Sequence, residues 1–365
     1  MGAKVAIVRT SPATVLDDIA RAMDLAGASE HLTGERQLLL KLNLSWTKYF
    51  PACSSQPWQL EGVVRYLLSH GYGADRLIPI ENKTVVTNPR KGAANNLWLP
   101  VLERYGLEFK PLTEVEWTVH RFREPLLRLH EIFPEGIEIP ALFAGRDILH
   151  LPTVKTHGHS TTTGAVKNAF GGLLKEVRHY AHKYIHEVLV DLLIMQRELH
   201  PRIFAVMDGT VCGDGAGPRT MTPVVGNVLL AGADSVAIDA VAARIMGFDP
   251  MSIPYLRMAT ERGLGEARIE RIDIAGENID GFNFRFRSKR SLVIWGDQML
   301  RLGPLRWLER IALHSPLSCW APLASNIYHD ALWYPTVGRT KIRMFKRTAW
   351  GALWETYRRG GPESR

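Results

Sequence analysis

The segment of residues 151–175, LPTVKTHGHSTTTGAVKNAFGGLLK, concentrates side chains that bind anions and move protons. A predicted apolar strand, residues 147–153, leads into it, and a run of threonines can cap a helix that begins near Ala165. Backbone N–H groups at the start of a helix attract anions. We therefore expect the anionic group of a ligand to be held by Lys155, Thr163 and Gly164.

The same segment holds two candidates for proton transfer. The imidazole of His157 has an ordinary pKa close to neutral, which suits acid–base chemistry. By helical periodicity Lys167 shares a face with Phe170 and Leu174, so we expect it to point inward. The alternative for Lys167 is a surface lysine that snorkels along an apolar patch.

Polar residues also follow several predicted strands elsewhere in the chain. In an open parallel sheet, ligands bind outside the carboxyl ends of the strands. We expect five strand ends to meet in one site for a small anionic molecule. They carry Lys41 and Asn43, Glu81 and Asn82, Lys155 and His157, Asp208, and Asp234.

The segment DGTVCGDGAGP, residues 208–218, reads as a glycine-rich loop that lets the backbone approach a ligand closely. Asp208 could act as an acid or base, and Asp208 with Asp214 could bind a divalent cation. A plain flexible turn is the alternative. We expect Asp208 to be catalytic, and Asp214 and Gly215 to contact the ligand.

Asp239 lies on a predicted helix face with Val236 and Ala242, so its carboxylate should point inward. A buried carboxylate needs a partner, or its pKa rises until it is neutral. We expect that partner to be Lys155, Lys167 or Lys41. Asp239 would then be a structural ion-pair partner or a residue that orients the ligand site.

Three histidines, at positions 179, 182 and 186, share a face if residues 178–187 are helical. Histidines at this spacing can chelate zinc, nickel or iron. A solvated polar face is the alternative. On the metal hypothesis we expect His182 and His186 to be ligands of a divalent metal; the sequence does not otherwise specify a cofactor.

Composition sets the outer limits: 365 residues with 46% hydrophobic and 22% charged side chains indicate a globular chain. The three cysteines are far apart and form no C-x-x-C pair. This pattern argues against disulfides and an iron–sulfur cluster and favours a reducing compartment, the cytoplasm. We find no signal peptide and no apolar run of the roughly 20 residues needed to span a bilayer.

The net charge of +8 is concentrated near the carboxyl terminus. Residues 287–365 contain 14 Lys and Arg against 5 Asp and Glu, together with six of the ten tryptophans. Basic and aromatic residues together suit either packing on the main body or contact with a membrane surface or a protein partner. No nucleic-acid-binding motif is present, so we expect no nucleic acid as a partner.

The predicted elements alternate between short apolar strands and helices. This pattern is typical of an α/β fold, with mainly parallel sheet covered by helices. We expect an α/β region at residues 1–286, with an inserted subdomain at about 113–140, and a basic, tryptophan-rich appendage at 287–365.

Several separated motifs resemble the DUF362 family, which is defined by sequence and mostly lacks assigned chemistry. The resemblance spans about residues 4–276 and stops before the tail. It rests on KTH followed by TGAVKN-FGG at 155–172, the Lys-x-Asn strand end at 38–44, the DG…GxGP segment at 207–218, the D-x-VA-x-DA helix at 233–242, and the turn at 247–250.

The resemblance implies a small-molecule site built from these motifs, including Asn168. Many relatives carry cysteine-rich ferredoxin-like segments, which this chain lacks. A weaker similarity is to lactate racemase-like enzymes that hold a nickel-pincer cofactor: His157 precedes Lys167 by ten residues, and His182 follows fifteen later. We therefore expect an enzyme acting on a small anionic metabolite. The alternatives are a metal- or nickel-pincer-dependent isomerase or oxidoreductase, and a non-catalytic module that binds membrane surfaces.

Overall fold

The structure is a computed structural model that describes residues 2–84, 86–175, 181–289, 295–296, 299, 323 and 325–361. Its strands are β1 (Lys4–Arg9), β2 (Leu38–Lys41), β3 (Leu77–Glu81), β4 (Lys110–Pro111), β5 (Trp117–His120), β6 (Ile137–Pro140), β7 (Asp147–His150), β8 (Thr153–His157), β9 (Thr161–Thr162), β10 (Ile203–Ala216), β11 (Thr220–Gly232) and β12 (Asp273–Gly276). Its α-helices are α1 (Val15–Leu25), α2 (Ala28–His31), α3 (Pro57–Ser69), α4 (Pro89–Asn95), α5 (Trp98–Arg104), α6 (Leu129–Ile132), α7 (Ala165–Leu173), α8 (Ile185–Leu199), α9 (Ser235–Met246), α10 (Pro254–Glu261), α11 (Arg339–Phe345) and α12 (Ala349–Arg358).

One large sheet forms the centre of the molecule, with strand order β12-β1-β11-β10-β7-β2-β3-β4. Strand β8 pairs with the later part of β10, and β9 pairs with β8. In the main order, β11 runs antiparallel to both neighbours, whereas the other pairs are parallel. The α/β fold with a mainly parallel sheet is thereby confirmed.

Helices cover both faces of this sheet, which explains why β2 and β7 are buried along their whole length. On one face, called here the α7 face, the core is built with α7, α8, α9 and α10. On the other, called the α3 face, it is built with α1, α3, α5 and the C-terminal helix α12. Side chains from alternating positions of one strand therefore enter different cores.

Two strand assignments from the sequence need correction. The glycine-rich segment after Met207 is not a loop but the continuation of β10, which runs to Ala216 and pairs with β11 over most of its length. Asp234, at the end of β11, lies at the opposite edge of the sheet from the other polar strand ends, because β11 is antiparallel. Its carboxylate caps α9 by accepting from the N–H groups of Val236 and Ala237.

The remaining parts flank the central sheet. Strands β5 and β6 form a separate two-stranded antiparallel sheet within the segment expected to be an insertion. The described part of the C-terminal segment packs against the main body: Trp350 lies 5.2 Å from Trp58, and Trp354 stacks on Tyr49 at 4.2 Å between ring centroids. No described helix combines the length and the apolar character needed to cross a membrane.

Candidate active site

The start of α7 is held by a carboxylate of the protein itself. The N–H groups of Ala165 and Val166 donate to the two oxygens of Asp239, at 2.6 and 3.2 Å. The hydroxyl of Tyr255 donates to the same carboxylate at 3.0 Å. Burial raises the pKa of Asp239 to about 7, and these three donors oppose that rise. Asp239 thus occupies the place where we expected a ligand anion, and its partners are backbone groups and a tyrosine rather than lysines.

Gly164 is required at this junction because there is no room for a side chain. A Cβ at this position would lie 2.0 Å from Oδ1 of Asp239. Its backbone is extended, with φ of 177°, so the requirement is steric and not conformational. The neighbouring Thr163 hydroxyl donates to the carbonyl groups of Thr153 and Lys155. Both residues therefore build the junction, and the ligand contacts expected of them stay a prediction.

Further along, α7 crosses a buried ion pair. Lys41 Nζ donates to Glu81 Oε1 at 2.8 Å, and both side chains are buried. Gly171 and Gly172 lie directly above: a Cβ on Gly171 would be 3.3 Å from Lys41 Nζ, and one on Gly172 3.2 Å from Lys41 Cε. The Gly-Gly pair of the motif lets the helix backbone approach the charged pair closely.

Asn168 connects this ion pair to the neighbouring strand ends. Its Nδ2 donates to the carbonyl of Lys41 at 2.9 Å, and its Oδ1 accepts from Asn43 at 3.3 Å. The same Nδ2 lies 3.3 Å from Nδ1 of His150, whose Nε2 is 2.6 Å from Gln196 Oε1. Burial lowers the pKa of His150 to about 3, so this histidine is neutral at physiological pH.

Lys155 is buried in the middle of β8 and has neutral hydrogen-bond partners. Its Nζ donates to Asn43 Oδ1, to Ser45 Oγ at 3.0 Å and to the carbonyl of Cys53 at 2.5 Å. These three bonds use all the donors of an ammonium group. Burial lowers the pKa of Lys155 to about 8. Lys155 therefore offers a ligand its positive charge rather than a direct hydrogen bond.

His157 is buried at the tip of β8, and its hydrogen bonds specify a tautomer. Its Nδ1 accepts from the backbone N–H groups of His159 and Ser160, at 3.1 and 3.3 Å. Nδ1 must therefore carry the lone pair, which assigns the hydrogen of the neutral ring to Nε2. Burial, followed by the positive charge of Lys167, holds the pKa of His157 well below its usual range. His157 is thus a neutral ring that can donate through Nε2.

Three further side chains surround His157. Lys167, half-buried on α7, lies with its Nζ 5.2 Å from the centre of the Phe170 ring. His159 lies 5.8 Å from His157 and 5.2 Å from His182 between ring centroids. His182 also meets the edge of Phe170 at 5.5 Å. The structure therefore brings His157, Lys167 and His182 into one neighbourhood, in which Lys167 and His182 lie beside Phe170. The sequence had suggested this grouping only through the spacing of the three residues.

Asp208 does not join this group. It lies within β10 on the α3 face, where its Oδ1 accepts from the N–H of Thr210 at 2.7 Å. Thr210 in turn accepts from the indole of Trp58 at 3.2 Å. Burial raises the pKa of Asp208 to about 6, and no described residue hydrogen-bonds its Oδ2. Side-chain alternation along β10 turns Asp208 toward the α3 face, and its described hydrogen bonds do not reach His157. The catalytic role expected of Asp208 stays a prediction.

The two other residues of β10 that we expected to contact a ligand, Asp214 and Gly215, form hydrogen bonds within the protein. Asp214 accepts from the backbone N–H of Arg287 at 2.8 Å. The carbonyl of Gly215 accepts from the hydroxyl of Thr156 at 2.9 Å and from the N–H of Lys289 at 3.1 Å. Both residues therefore tie the β10–β11 hairpin to its neighbours.

The two predicted metal ligands, His182 and His186, pack against different residues. His182 packs with His159 and Phe170, whereas His186, on α8, stacks on Tyr255 at 6.2 Å. Within the described residues, no three His, Cys, Asp or Glu side chains are grouped so as to hold a metal ion. His179 of the predicted trio lies outside the described residues, so the metal hypothesis stays a prediction.

Sequence reasoning missed four members of the network. Glu81 was noted at a strand end but not paired with Lys41, although both follow neighbouring parallel strands. His150 ends β7 and could have been found by the same rule. Gln196 and Ser45 carry no sequence signal, because a helix residue and a loop residue reach the site only through tertiary packing.

Comparison with known proteins agrees with the motifs. The family model described as Domain of unknown function (DUF362) matches residues 38–244, more than half of the chain. The chain belongs to the DUF362 family. Helix α7, the Lys41 strand end and Asp239 all lie within the matched region.

One curated relative of this DUF362 protein is a thylakoid-associated protein of Synechocystis sp. It is 28% identical over 126 residues, which make up 34% of this chain. The chain spans 39% of the length of that relative.

Proposed function

We propose that this DUF362 protein is an enzyme that binds a small anionic molecule at the carboxyl edge of its sheet and transfers a proton on it. The single observation that supports this most is His157. It is a buried neutral imidazole, held through Nδ1 by two backbone N–H groups, so Nε2–H is the donor left for a ligand. A neutral imidazole donor of this kind polarises a carbonyl or carboxylate oxygen without giving up its proton.

The remaining groups have separate roles in the proposal. The buried charge of Lys155 attracts the anion to this edge, because charges interact more strongly where water is excluded. Lys167, next to His157, exchanges a proton with the ligand. Lys41, Glu81, Asn43 and Asn168 hold the strand ends and α7 in position, and Asp239 fixes the start of that helix.

The experiment uses a variant that separates the two nitrogens of His157. In His157→Asn, Oδ1 of the new side chain can still accept from the N–H groups of His159 and Ser160, but the Nε2–H donor is lost. Thermal-shift screening with small mono- and dicarboxylates and phosphate monoesters identifies a ligand, and calorimetry measures its affinity. We expect His157→Asn and Lys167→Ala to weaken binding at least about tenfold, as expected for a lost charged or buried hydrogen bond.

Lys110→Ala is the matched control, because Lys110 is an exposed lysine on the edge strand β4. It should bind the ligand as the wild type does. Wild-type affinity in both His157→Asn and Lys167→Ala would end the proposal. The scattered cysteines lead us to place this activity in the cytoplasm, as a further part of the proposal.

The metal-dependent alternative is tested separately. Elemental analysis of the purified full chain should show stoichiometric metal that is lost in His182→Ala. Its absence from both proteins would rule out the metal- or nickel-pincer-dependent reading and leave the proposal above unaffected.

A further inference from the structure

The C-terminal segment contains a helix that is firmly attached to the body along one side. This tail helix, residues 327–345, consists of a π-helix, Ile327–Gly338, followed directly by α11. Its inner side packs Tyr334 against Trp46 at 5.0 Å between ring centroids, and the Tyr334 hydroxyl donates to the carbonyl of Tyr49 at 2.9 Å. Lys341 donates to the carbonyl of Met221 at 3.0 Å. The tail helix is therefore held in one orientation.

Its outer side carries a stripe of exposed aliphatic residues. The exposed fractions are 49% for Ile327, 59% for Leu332, 44% for Val337 and 64% for Met344. The five-residue steps from Ile327 to Leu332 to Val337 are slightly more than one turn of a π-helix, so these side chains advance gradually around the same side. The seven-residue step to Met344 is close to two turns of an α-helix. These four side chains consequently lie along one side of the tail helix.

This stripe is concentrated rather than scattered. Nine large hydrophobic side chains are exposed among the described residues, and five of them fall between Leu323 and Met344. Single exposed aliphatic residues are normal on a protein surface, whereas a contiguous group marks an interaction site.

A row of arginines accompanies the stripe. Arg339 and Arg343 are four residues apart on α11, Arg347 follows just beyond the end of this helix, and all three are exposed. Residues 327–347 contain one acidic side chain, Asp330. Asp330 is turned inward, where it accepts from the Trp46 indole at 2.6 Å and lies 3.6 Å from Lys48. The outer side therefore presents aliphatic and cationic groups together.

We infer that the outer side of the tail helix docks on an anionic phospholipid surface. The aliphatic stripe would enter the boundary between headgroups and acyl chains, and the arginines would bind lipid phosphates. An anionic bilayer complements both features at once, and a helix lying in the interface does not need the length of a spanning helix. This surface is separate from the His157 site and does not depend on the reaction proposed there.

The test is co-sedimentation of the full chain with vesicles of phosphatidylcholine alone or mixed with phosphatidylglycerol. The apolar variant is Leu332→Ser/Val337→Ser/Met344→Ser, and the charge variant is Arg339→Gln/Arg343→Gln/Arg347→Gln. We expect wild-type protein to sediment with the mixed vesicles, and each variant to bind roughly tenfold or more weakly. Added salt should weaken wild-type binding but change the charge variant much less.

The control variant is Val119→Ser/Val225→Ser, which removes two exposed aliphatic side chains outside the tail helix. It should bind as the wild type does. Equal binding to both vesicle types, or wild-type binding in the charge variant, would overturn the inference. A third outcome would also overturn the inference: the wild type does not bind vesicles, it self-associates in sedimentation velocity, and the apolar variant does not self-associate. The partner of the stripe would then be a second copy of this chain. Unchanged melting temperatures establish that the variants are folded.

Discussion

On the α7 face of the sheet, the buried carboxylate of Glu81 is paired with Lys41, whereas on the α3 face the buried carboxylate of Asp208 accepts from the backbone N–H of Thr210 and forms no ion pair with a described residue. The α7 face links Lys41, Glu81, Asn168 and Asn43 through successive bonds. Each face leaves one of these carboxylate oxygens without a described hydrogen-bond partner, Oε2 of Glu81 and Oδ2 of Asp208. The two faces therefore differ in charge pairing: removing a partner should destabilise the α7 face, whereas removing the unpaired charge of Asp208 should stabilise the α3 face.

The largest effect should come from the junction of Gly164 and Asp239. We expect Gly164→Ala to destabilise the protein by about 3 kcal/mol or more, because the new Cβ would lie 2.0 Å from the Asp239 carboxylate. Asp239→Ala should cost about 3 kcal/mol, since it leaves buried N–H donors without a partner. Denaturant unfolding measures both.

The double variant Gly164→Ala/Asp239→Ala provides the control. It should lose clearly less stability than the sum of the two single variants, because the alanine Cβ no longer meets a carboxylate. Strict additivity would show that the junction does not act as described.

The next effect concerns the ion pair on the same face. Lys41→Met should cost roughly 3 kcal/mol, because Glu81 would be left as a buried charge without its lysine. Lys41→Met/Glu81→Leu should recover much of this loss. If the double variant is no more stable than Lys41→Met, the broken Lys41–Glu81 ion pair is not the reason that Lys41→Met loses stability.

On the α3 face, replacing the buried carboxylate of Asp208 should raise the stability of the protein instead of lowering it. The pKa of Asp208 is raised to about 6, so the native state holds a proton that the unfolded chain releases near its ordinary pKa of 3.8. The raised pKa of Asp208 should therefore lower wild-type stability as pH rises from about 4 to 6, and the raised pKa of Asp239, about 7, should add to this loss. Asp208→Asn removes the contribution of Asp208, so it should be about 2 kcal/mol more stable than the wild type at pH 8 and nearly equal to it at pH 4.

Measuring ligand binding in the same variant sharpens the contrast. Asp208→Asn should bind ligand normally, since no described hydrogen bond joins its side chain to His157. If Asp208→Asn weakens binding as much as His157→Asn does, Asp208 takes part in ligand binding. Asp214→Asn removes a carboxylate on the same hairpin, one that accepts from the backbone N–H of Arg287, and is the matched control for stability.

The smallest effect is expected at the C-terminal helix. The Thr348 hydroxyl accepts from the N–H of Gly351 at 3.1 Å and caps α12. Thr348→Ala should cost about 1 kcal/mol. If α12 is part of the α3-face core, hydrogen exchange and global unfolding should report the same loss. A loss confined to exchange in α12 would mean that this helix opens separately.

The sequence predicted most elements of the sheet, because apolar strands of four to six residues alternate with amphipathic helices. It also placed Lys41, Asn43, Lys155 and His157 after strand ends. Lys41 is the last residue of β2, whereas Lys155 and His157 lie within a further strand, β8. It did not predict the length of β10, since its glycines look like a loop. Consequently, it could not show that Asp208 lies inside a strand and faces the other core.

The sequence could not predict which groups the buried charged side chains contact, because these partners are distant along the chain. Asp239 and the start of α7 are 74 residues apart, and Lys41 and Glu81 are 40 apart. Spacing along the chain predicts which residues share a helix face, but not which distant backbone group a carboxylate will meet. The expectation of a lysine beside Asp239 was wrong on that account.

The most direct test of the proposed site is ¹⁵N NMR of histidine-labelled protein across pH 5 to 8, with His157→Asn used to assign the signal. Its Nδ1 should show the shift of an unprotonated acceptor and its Nε2 that of a protonated nitrogen over the whole range, because the pKa of His157 lies well below its usual value. On addition of a bound anion the Nε2–H signal should move while Nδ1 stays unchanged. A ring that titrates near pH 6.5, or one protonated on Nδ1, would contradict the proposed role of His157.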